Sequence, residues 1–191
     1  MSRTTILFAS MMILALGMFA ISGCGDNSDN DESASGNSGS EAQAAAPVAA
    51  GKGSPAPDFT LKKVGGGELQ LSSLRGKAVI VDFWDTWCPP CRKAMPHLQE
   101  LSETYSGDLV VVGVALGREG EAKVKAFAKE RGLTFDMVLF NNDQKLIADF
   151  GGIESIPTTF LIDGDGIIRE TWVGAYGLAE YERAVKAVLG S

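Results

Sequence analysis

Cysteine and histidine are scarce in this sequence, which contains three cysteines and one histidine among 191 residues. Two of the cysteines, Cys88 and Cys91, are separated by two residues, and no second pair of this kind occurs. A structural zinc site takes four ligands, typically two such pairs or histidines at a set spacing. Covalent haem attachment needs a histidine directly after the second cysteine, where this chain has Arg92. The composition therefore argues against a metal or haem centre, and we expect no cofactor.

A basic patch is also missing. The formal net charge is -7, and the sequence shows no stretch in which arginines alternate with aromatic residues. Proteins that bind nucleic acids carry clustered positive charge and often aromatic stacking platforms. We therefore expect no nucleic-acid partner, and the acidic balance favours partners with basic surfaces.

One long apolar run is present, at residues 6–21, shortly after Arg3. A run of this length between a basic start and small residues is typical of a signal peptide, here residues 1–23. The residues Ile21-Ser22-Gly23-Cys24 resemble the bacterial lipobox, which implies that Cys24 carries diacylglycerol and anchors the chain to the lipid bilayer. The alternatives are cleavage at another position and a retained anchor helix. Each of them also places the rest of the chain outside the cytoplasm.

The composition changes abruptly after Cys24. Residues 25–54 are small or polar, and Val48 is the one aliphatic side chain among them that is larger than alanine. Such a segment cannot bury enough apolar surface to offset the entropy of ordering it. We expect residues 24–54 to form a lipidated, flexible tether. Residues 55–191 are long enough for one folded domain with its own core.

Hydrophobic periodicity indicates how this domain is organised. Continuous apolar runs at residues 78–84 and 109–116 are typical of strands buried on both faces. Apolar residues at helical spacing follow each of these runs, and two further strands and a last helix close the chain. We expect a parallel βαβ unit, a central insertion and a β-β-α ending, which together give an α/β fold with a mixed central sheet flanked by helices. An N-terminal β-hairpin is expected to precede them, turning at residues 65–67.

The Trp87-Cys88-Pro89-Pro90-Cys91 motif carries the chemistry, because it lies between a predicted strand and a predicted helix. A disulfide that closes so small a ring contributes little to stability, so its value must be chemical. At the helix N-terminus, unpaired N–H groups and the helix dipole favour a thiolate at Cys88. Thiolate is the nucleophile of disulfide exchange. We expect Cys88 to attack and Cys91 to resolve the mixed disulfide.

The motif and its surroundings resemble a known family. Residues 81–84, the redox motif, Pro96 and the Ile156-Pro157-Thr158 segment match the thioredoxin active-site strand, redox motif, helix proline and cis-proline loop. Residues 56–59, 74–77 and 157–163 extend the match. The domain is similar to the TlpA/ResA group of membrane-tethered thiol-disulfide oxidoreductases in the thioredoxin superfamily.

The resemblance implies a thioredoxin fold and a cis peptide bond before Pro157. It also implies that the partner protein is contacted by residues around the two cysteines, namely Trp87, Pro89, Pro90, Ile156 and Pro157. Implied partners are extracytoplasmic proteins with disulfides, such as apocytochrome c before haem attachment. A membrane thiol transporter of the DsbD or CcdA type is implied as the electron donor.

Asp82 is an acid inside an otherwise apolar strand. Burial would raise its pKa and let it exchange a proton with Cys91 during resolution, so we expect a catalytic role. The alternative is a side chain that reaches solvent or a backbone donor at the strand end. Trp84 and Trp87 are expected to pack around the disulfide. Glu154 and the single histidine, His97, are expected to be surface or packing residues.

The sequence leaves more than one function open. A reductase of extracytoplasmic disulfides is the first expectation. A disulfide-forming oxidase is the alternative within the enzyme class, since sequence does not fix a reduction potential. A copper-delivery protein is the alternative in the binding class, but it needs a distal histidine, and His97 follows the pair within the same predicted helix.

Overall fold

A seven-stranded mixed sheet runs through the part of the chain that the computed structural model describes, residues 50–190, in the order β2-β1-β5-β4-β3-β6-β7. The strands are β1 (Thr60–Lys63), β2 (Glu68–Gln70), β3 (Ala78–Trp84), β4 (Leu109–Ala115), β5 (Asp136–Leu139), β6 (Thr158–Ile162) and β7 (Ile168–Val173). The helices are α1 (Pro89–Thr104), α2 (Glu121–Arg131), α3 (Gln144–Asp149) and α4 (Leu178–Leu189). A short 3-10 turn, Leu71–Leu74, follows β2. The expected thioredoxin-like α/β architecture is confirmed.

Strand β3 lies near the middle of the sheet, and all seven of its residues are buried. It pairs in parallel with β4 and antiparallel with β6. Apart from Asp82, its side chains are apolar and several are β-branched. Such a sequence suits a strand that is covered on both faces. The position of β3 sets the position of the Trp87–Cys91 motif, because α1 begins five residues after the strand ends.

Side chains of β3 alternate between two cores, as the period of a strand requires. Ile80 and Trp84 face a core shared with α1, α2 and α4. Val81 and Phe83 face a second core, which Leu146 of α3 and residues from the N-terminal part of the domain complete. Asp82 has the parity of Ile80 and Trp84 and therefore belongs to the face covered by the three longer helices.

The predicted insertion and hairpins take definite places in the sheet. The insertion supplies β5, which pairs in parallel with β4, and the short helix α3. The β1–β2 hairpin joins the sheet through antiparallel pairing of β1 with β5. Between β6 and β7 the turn is closed by Asp163, whose Oδ1 accepts the N–H groups of Asp165 and Ile167 at 3.0 and 2.8 Å.

The boundary expected at Pro55 is too late. The Ala50 N–H donates to the Asp149 carbonyl at 2.9 Å, and the Gly53 N–H donates to the Ile168 carbonyl at 2.7 Å. The Ile168 N–H donates in turn to the Ser54 carbonyl at 2.9 Å. Residues 50–54 are thus part of the folded domain, held by backbone hydrogen bonds. Their small side chains gave no periodic pattern from which this pairing could be predicted.

The predicted signal peptide, the lipidation site Cys24 and the tether up to residue 49 lie outside the described residues. Between residues 50 and 190, none of the helices combines the length and the apolar composition needed to span a bilayer.

Candidate active site

A disulfide joins Cys88 and Cys91, whose Cα atoms are 5.3 Å apart. Cys88 is the N-terminal capping residue of α1, and Cys91 lies in its first turn. The Cys88 side chain is 2 % exposed and that of Cys91 is fully buried. Of the two sulfur-bearing side chains, Cys88 is therefore the one with surface that a partner sulfur can reach.

One backbone N–H of the helix N-terminus points at the Cys88 sulfur. The Cys91 N–H donates to Cys88 Sγ at 3.2 Å. Pro89 and Pro90 occupy the first two helical positions, where a missing N–H costs nothing because no intrahelical acceptor exists there. When the disulfide is reduced, the same N–H and the positive end of the helix dipole stabilise a thiolate at Cys88.

A loop from the opposite side of the site ends against the disulfide. The Ile156-Pro157 peptide bond is cis, which confirms the expectation for this loop. The Ile156 carbonyl oxygen lies 3.6 Å from Cys88 Sγ. Pro157 itself is buried, whereas Ile156 is half-buried and faces the space beside the disulfide. Of these two residues, expected to contact the partner, Ile156 is the one with exposed surface for that contact.

An apolar groove of about 440 Å³ opens beside Cys88. Pro89 and Pro90 are exposed at its edge, and Trp87 is 47 % exposed. The Arg118 guanidinium lies 5.3 Å from the centroid of a Trp87 ring, within reach of a cation–π contact. The groove is lined by Trp87, Cys88, Pro89, Pro90, Leu116, Arg118, Phe140, Gln144, Ile147, Ile153, Glu154, Ser155 and Ile156.

The inserted segment builds much of this groove. Phe140 follows β5, and Gln144 and Ile147 belong to α3. Sequence reasoning did not assign these residues to the site. Their distance along the chain from Cys88 hides the contact, which depends on β5 lying next to β4 in the sheet.

Asp82 is fully buried beneath the motif. Its Oδ1 accepts a hydrogen bond of 2.6 Å from the Thr159 hydroxyl, and its Oδ2 has no hydrogen-bond partner among the described residues. Burial raises the pKa of Asp82 from 3.8 to about 7, and the Thr159 hydrogen bond lowers it by less. The alternative of a side chain that reaches solvent or a backbone donor is therefore wrong.

The two tryptophans differ in their surroundings. Trp84 is fully buried in the same core as both cysteines. Its indole lies against Gly113, where an added Cβ would be 2.9 Å from Nε1. Only glycine leaves room for the ring at that position of β4. Trp84 thus packs behind the disulfide as expected, and Trp87 stands at its exposed side.

A second buried acid, Asp85, was not singled out from the sequence. Its Oδ1 accepts the Thr86 N–H at 2.7 Å, and its Oδ2 accepts the Arg118 N–H at 3.3 Å. The Thr86 hydroxyl also donates to Glu119. Asp85 thereby joins the turn before Cys88 to the loop after β4, which carries Arg118. An acid directly after an apolar strand could have indicated a functional residue. Its contact with the loop that carries Arg118 could not be predicted, because the two segments are far apart in the sequence.

The remaining residues lie where the sequence suggested. His97 is half-buried in α1, two turns beyond Pro90. Glu154 is exposed and contributes to the rim of the groove.

A disulfide at a helix N-terminus, with a cis-proline loop across from it on a thioredoxin-like sheet, defines a thiol-disulfide oxidoreductase. Comparison with known proteins agrees. Residues 52–171 match the AhpC/TSA family model. The thiol-disulfide oxidoreductase ResA of Geobacillus kaustophilus is 39 % identical over 142 residues, covering 74 % of this chain and 80 % of that protein. The thioredoxin-like protein YneN of Bacillus subtilis is 37 % identical over 138 residues, covering 71 % and 79 %.

A solved structure extends the agreement to the fold. The thioredoxin-family thiol:disulfide interchange protein of Chlorobium tepidum superimposes with a TM-score of 0.65 at 36 % identity, covering 73 % of this chain and 99 % of that one. The chain belongs to the AhpC/TSA family of thioredoxin-like proteins and is a thiol-disulfide oxidoreductase of the ResA type.

The buried carboxyl makes stability depend on pH in an unusual direction. Between its ordinary pKa of 3.8 and its folded pKa of about 7, the folded state holds a proton that the unfolded state releases, so stability falls as pH rises. The size of the shift corresponds to about 4 kcal/mol once the pH is above 7.

An Asp82→Asn variant removes this dependence. We expect urea unfolding of the oxidised protein to show wild type losing stability relative to Asp82→Asn as pH rises from 4 to 8, by the order of 4 kcal/mol. Equal pH profiles for the two proteins would show that Asp82 does not titrate in the folded state as described.

Proposed function

We propose that the chain is a membrane-tethered reductase of disulfides in extracytoplasmic partner proteins. The observation that carries the proposal is the Cys88 sulfur, held against the Cys91 N–H at the start of α1 and next to an apolar groove. The helix N-terminus favours the thiolate needed for attack, and the groove offers a place for the polypeptide under attack. The likeness to a thiol-disulfide oxidoreductase supports disulfide exchange as the reaction, and reduction is proposed as its direction from the resemblance of the motifs to the TlpA/ResA group.

The reaction proceeds by two exchanges. The Cys88 thiolate attacks one sulfur of the partner disulfide, which forms a mixed disulfide and releases the other partner sulfur as a thiolate that takes up a proton. Cys91 then loses its proton and attacks Cys88 Sγ, which releases the second partner sulfur. The partner ends with two thiols, and the reductase ends with the Cys88–Cys91 disulfide seen in this structure.

Asp82 is proposed as the acceptor of the Cys91 proton. Its carboxyl lies on the face of β3 that shares a core with Cys91. A pKa of about 7 leaves both the ionised and the neutral forms available near neutral pH, which is the condition for efficient acid–base catalysis.

The groove is proposed to hold the partner segment that flanks the target cysteine. Its walls are mostly apolar and include Trp87, Ile147 and Ile153. The Ile156 backbone lies beside Cys88 and can pair with an extended partner chain as an added strand would. Val173 and Tyr176 are also exposed, and Gly174 between them donates its N–H to the Pro157 carbonyl at 2.8 Å.

Unfolded or loosely folded polypeptides suit such a surface, because they can present an apolar side chain next to a disulfide. Apocytochrome c before haem attachment is a partner of this kind. A membrane thiol transporter of the DsbD or CcdA type is proposed to return electrons to the Cys88–Cys91 disulfide. These two partners are proposed from the resemblance of the motifs.

A Cys91→Ser variant tests the reaction and the roles assigned to the two cysteines. Without the resolving thiol, the mixed disulfide through Cys88 has no internal route to resolution, so covalent partner complexes should accumulate in cells. We expect these complexes on non-reducing gels, with mass spectrometry identifying the trapped proteins. The matched control is a Cys88→Ser variant, which should trap far less because Cys91 is fully buried.

Trapping that depends on Cys91 and survives loss of Cys88 would reverse the assigned roles.

A disulfide-forming oxidase would differ from a reductase in its reduction potential. Equilibration with glutathione would then give a potential near -120 mV, as for a strong disulfide-forming protein, instead of the lower value expected of a reductase.

Anchoring through Cys24 is proposed from the lipobox-like sequence. A diacylglycerol-modified cysteine adds buried methylene groups that hold a chain at the bilayer. We expect the wild-type chain to fractionate with membranes and to incorporate labelled palmitate. A Cys24→Ser variant should lose the label, while a Ser22→Ala variant, which keeps the small residue and the cysteine, should retain it. Label retained by Cys24→Ser would rule out this anchor.

A further inference from the structure

Asp82 is hydrogen-bonded to Thr159, a residue to which no role has been assigned. We infer that Thr159 is the positioning residue for Asp82, because it holds one carboxyl oxygen and leaves the other free to exchange a proton with Cys91. The inference rests on the proposed role of Asp82 in resolution.

Register places Thr159 directly opposite Asp82. The two residues are Cα partners in the antiparallel β3–β6 pair, and both are fully buried. The Thr159 hydroxyl donates to Asp82 Oδ1 at 2.6 Å. Since Oδ1 is occupied, Oδ2 is the oxygen available to carry the transferred proton, and within residues 50–190 it has no other hydrogen-bond partner.

The other elements packed around Asp82 offer it no compensating charge within the described residues. Its parallel neighbour on β4 is Gly113, and its neighbours on the same face of β3 are Ile80 and Trp84. Helix α1 contributes Cys91 and Met95 to that face, and α4 contributes Tyr181. Cys91 in its reduced form and Tyr181 are therefore the titratable groups that face Asp82. The Thr159 hydroxyl is the group that stabilises the ionised carboxylate.

Tyr181 belongs to the core on this face of the sheet. Its ring is fully buried, and its hydroxyl accepts the Tyr176 N–H at 3.4 Å. Burial raises the pKa of Tyr181, and the Asp82 charge raises it further, so the phenol keeps its proton at neutral pH.

The Thr159 hydrogen bond affects the reaction by fixing the orientation of the Asp82 carboxyl. During resolution the Cys91 proton passes to Asp82 Oδ2, the Cys91 thiolate forms the bond to Cys88 Sγ, and the bond from Cys88 to the partner sulfur breaks. The partner leaves as a thiolate and is protonated from solvent. A carboxyl that could rotate freely would present Oδ2 to Cys91 only part of the time, and the Thr159 bond removes that freedom.

Thr159→Val tests the inference, because valine has nearly the same shape but no hydroxyl. Carbon-13 NMR of the aspartate carboxyls in the oxidised full chain would follow the titration of Asp82, assigned by its loss in Asp82→Asn. We expect the Asp82 pKa to rise by about one to two pH units in Thr159→Val, the size expected for losing one hydrogen bond to a charged group. Thr159→Ser keeps the hydroxyl and should titrate close to wild type.

Near-UV circular dichroism of each variant checks that the core remains packed. An Asp82 titration unchanged by Thr159→Val would overturn the inference.

The pH profile of resolution gives a second readout. Single-turnover release of a partner peptide from its mixed disulfide with Cys88 should follow ionisation of Asp82 and shift to higher pH in Thr159→Val along with the NMR titration. A shifted titration with an unshifted release profile would overturn the positioning role. Failure of the proposed function would instead appear as wild-type protein that reduces no disulfide substrate, an outcome independent of the titration.

Discussion

The contact between the Cys88 sulfur and the N-terminus of α1 is the interaction on which the rest of the site depends. The Cys91 N–H donates to this sulfur at 3.2 Å, and Pro89 and Pro90 begin the helix without adding donors that would need acceptors. A free thiol has a pKa near 8.5, so without such stabilisation only a small fraction would be thiolate at neutral pH. Strand β3 places this helix start beside the loop that ends at Ile156.

At Asp82, below the two cysteines, the proposed chemical role conflicts with the stability of the fold. A fully buried carboxyl on the central strand, with a hydroxyl as its only partner among the described residues, costs stability at neutral pH. An alanine or valine at position 82 would suit the apolar strand better. This cost is consistent with the proposed role of Asp82 as the acceptor of the Cys91 proton, with Thr159 setting its orientation. Asp85 differs, because two backbone N–H groups satisfy its carboxylate and its role is to join two loops.

Local signals were sufficient for much of the fold and for the reactive pair. The apolar run of β3, the start of α1 at Pro89 and the two hairpins follow from periodicity and turn residues. The cis bond before Pro157 came from the family resemblance. Contacts between distant segments were not accessible in this way. Thr159 is 77 residues from Asp82, and Arg118 is 33 residues from Asp85. Each contact depends on strand order and register, which the periodicity of single segments does not specify.

The folded position of residues 50–54 was missed for a related reason. Their side chains bury little, and what holds them is backbone pairing with β7 and the end of α3. The groove shows the same limit, since Phe140 and Ile147 reach Cys88 only because β5 lies next to β4.

The ionisation of Cys88 in the reduced protein tests the account most directly. The rate of alkylation by iodoacetamide, measured against pH for Cys88 in a Cys91→Ser background, reports the thiolate fraction. The account predicts an apparent pKa clearly below the ordinary value of about 8.5 for a free thiol. A Cys88 that stays inert to alkylation near neutral pH, or that ionises at or above the ordinary value, would contradict it.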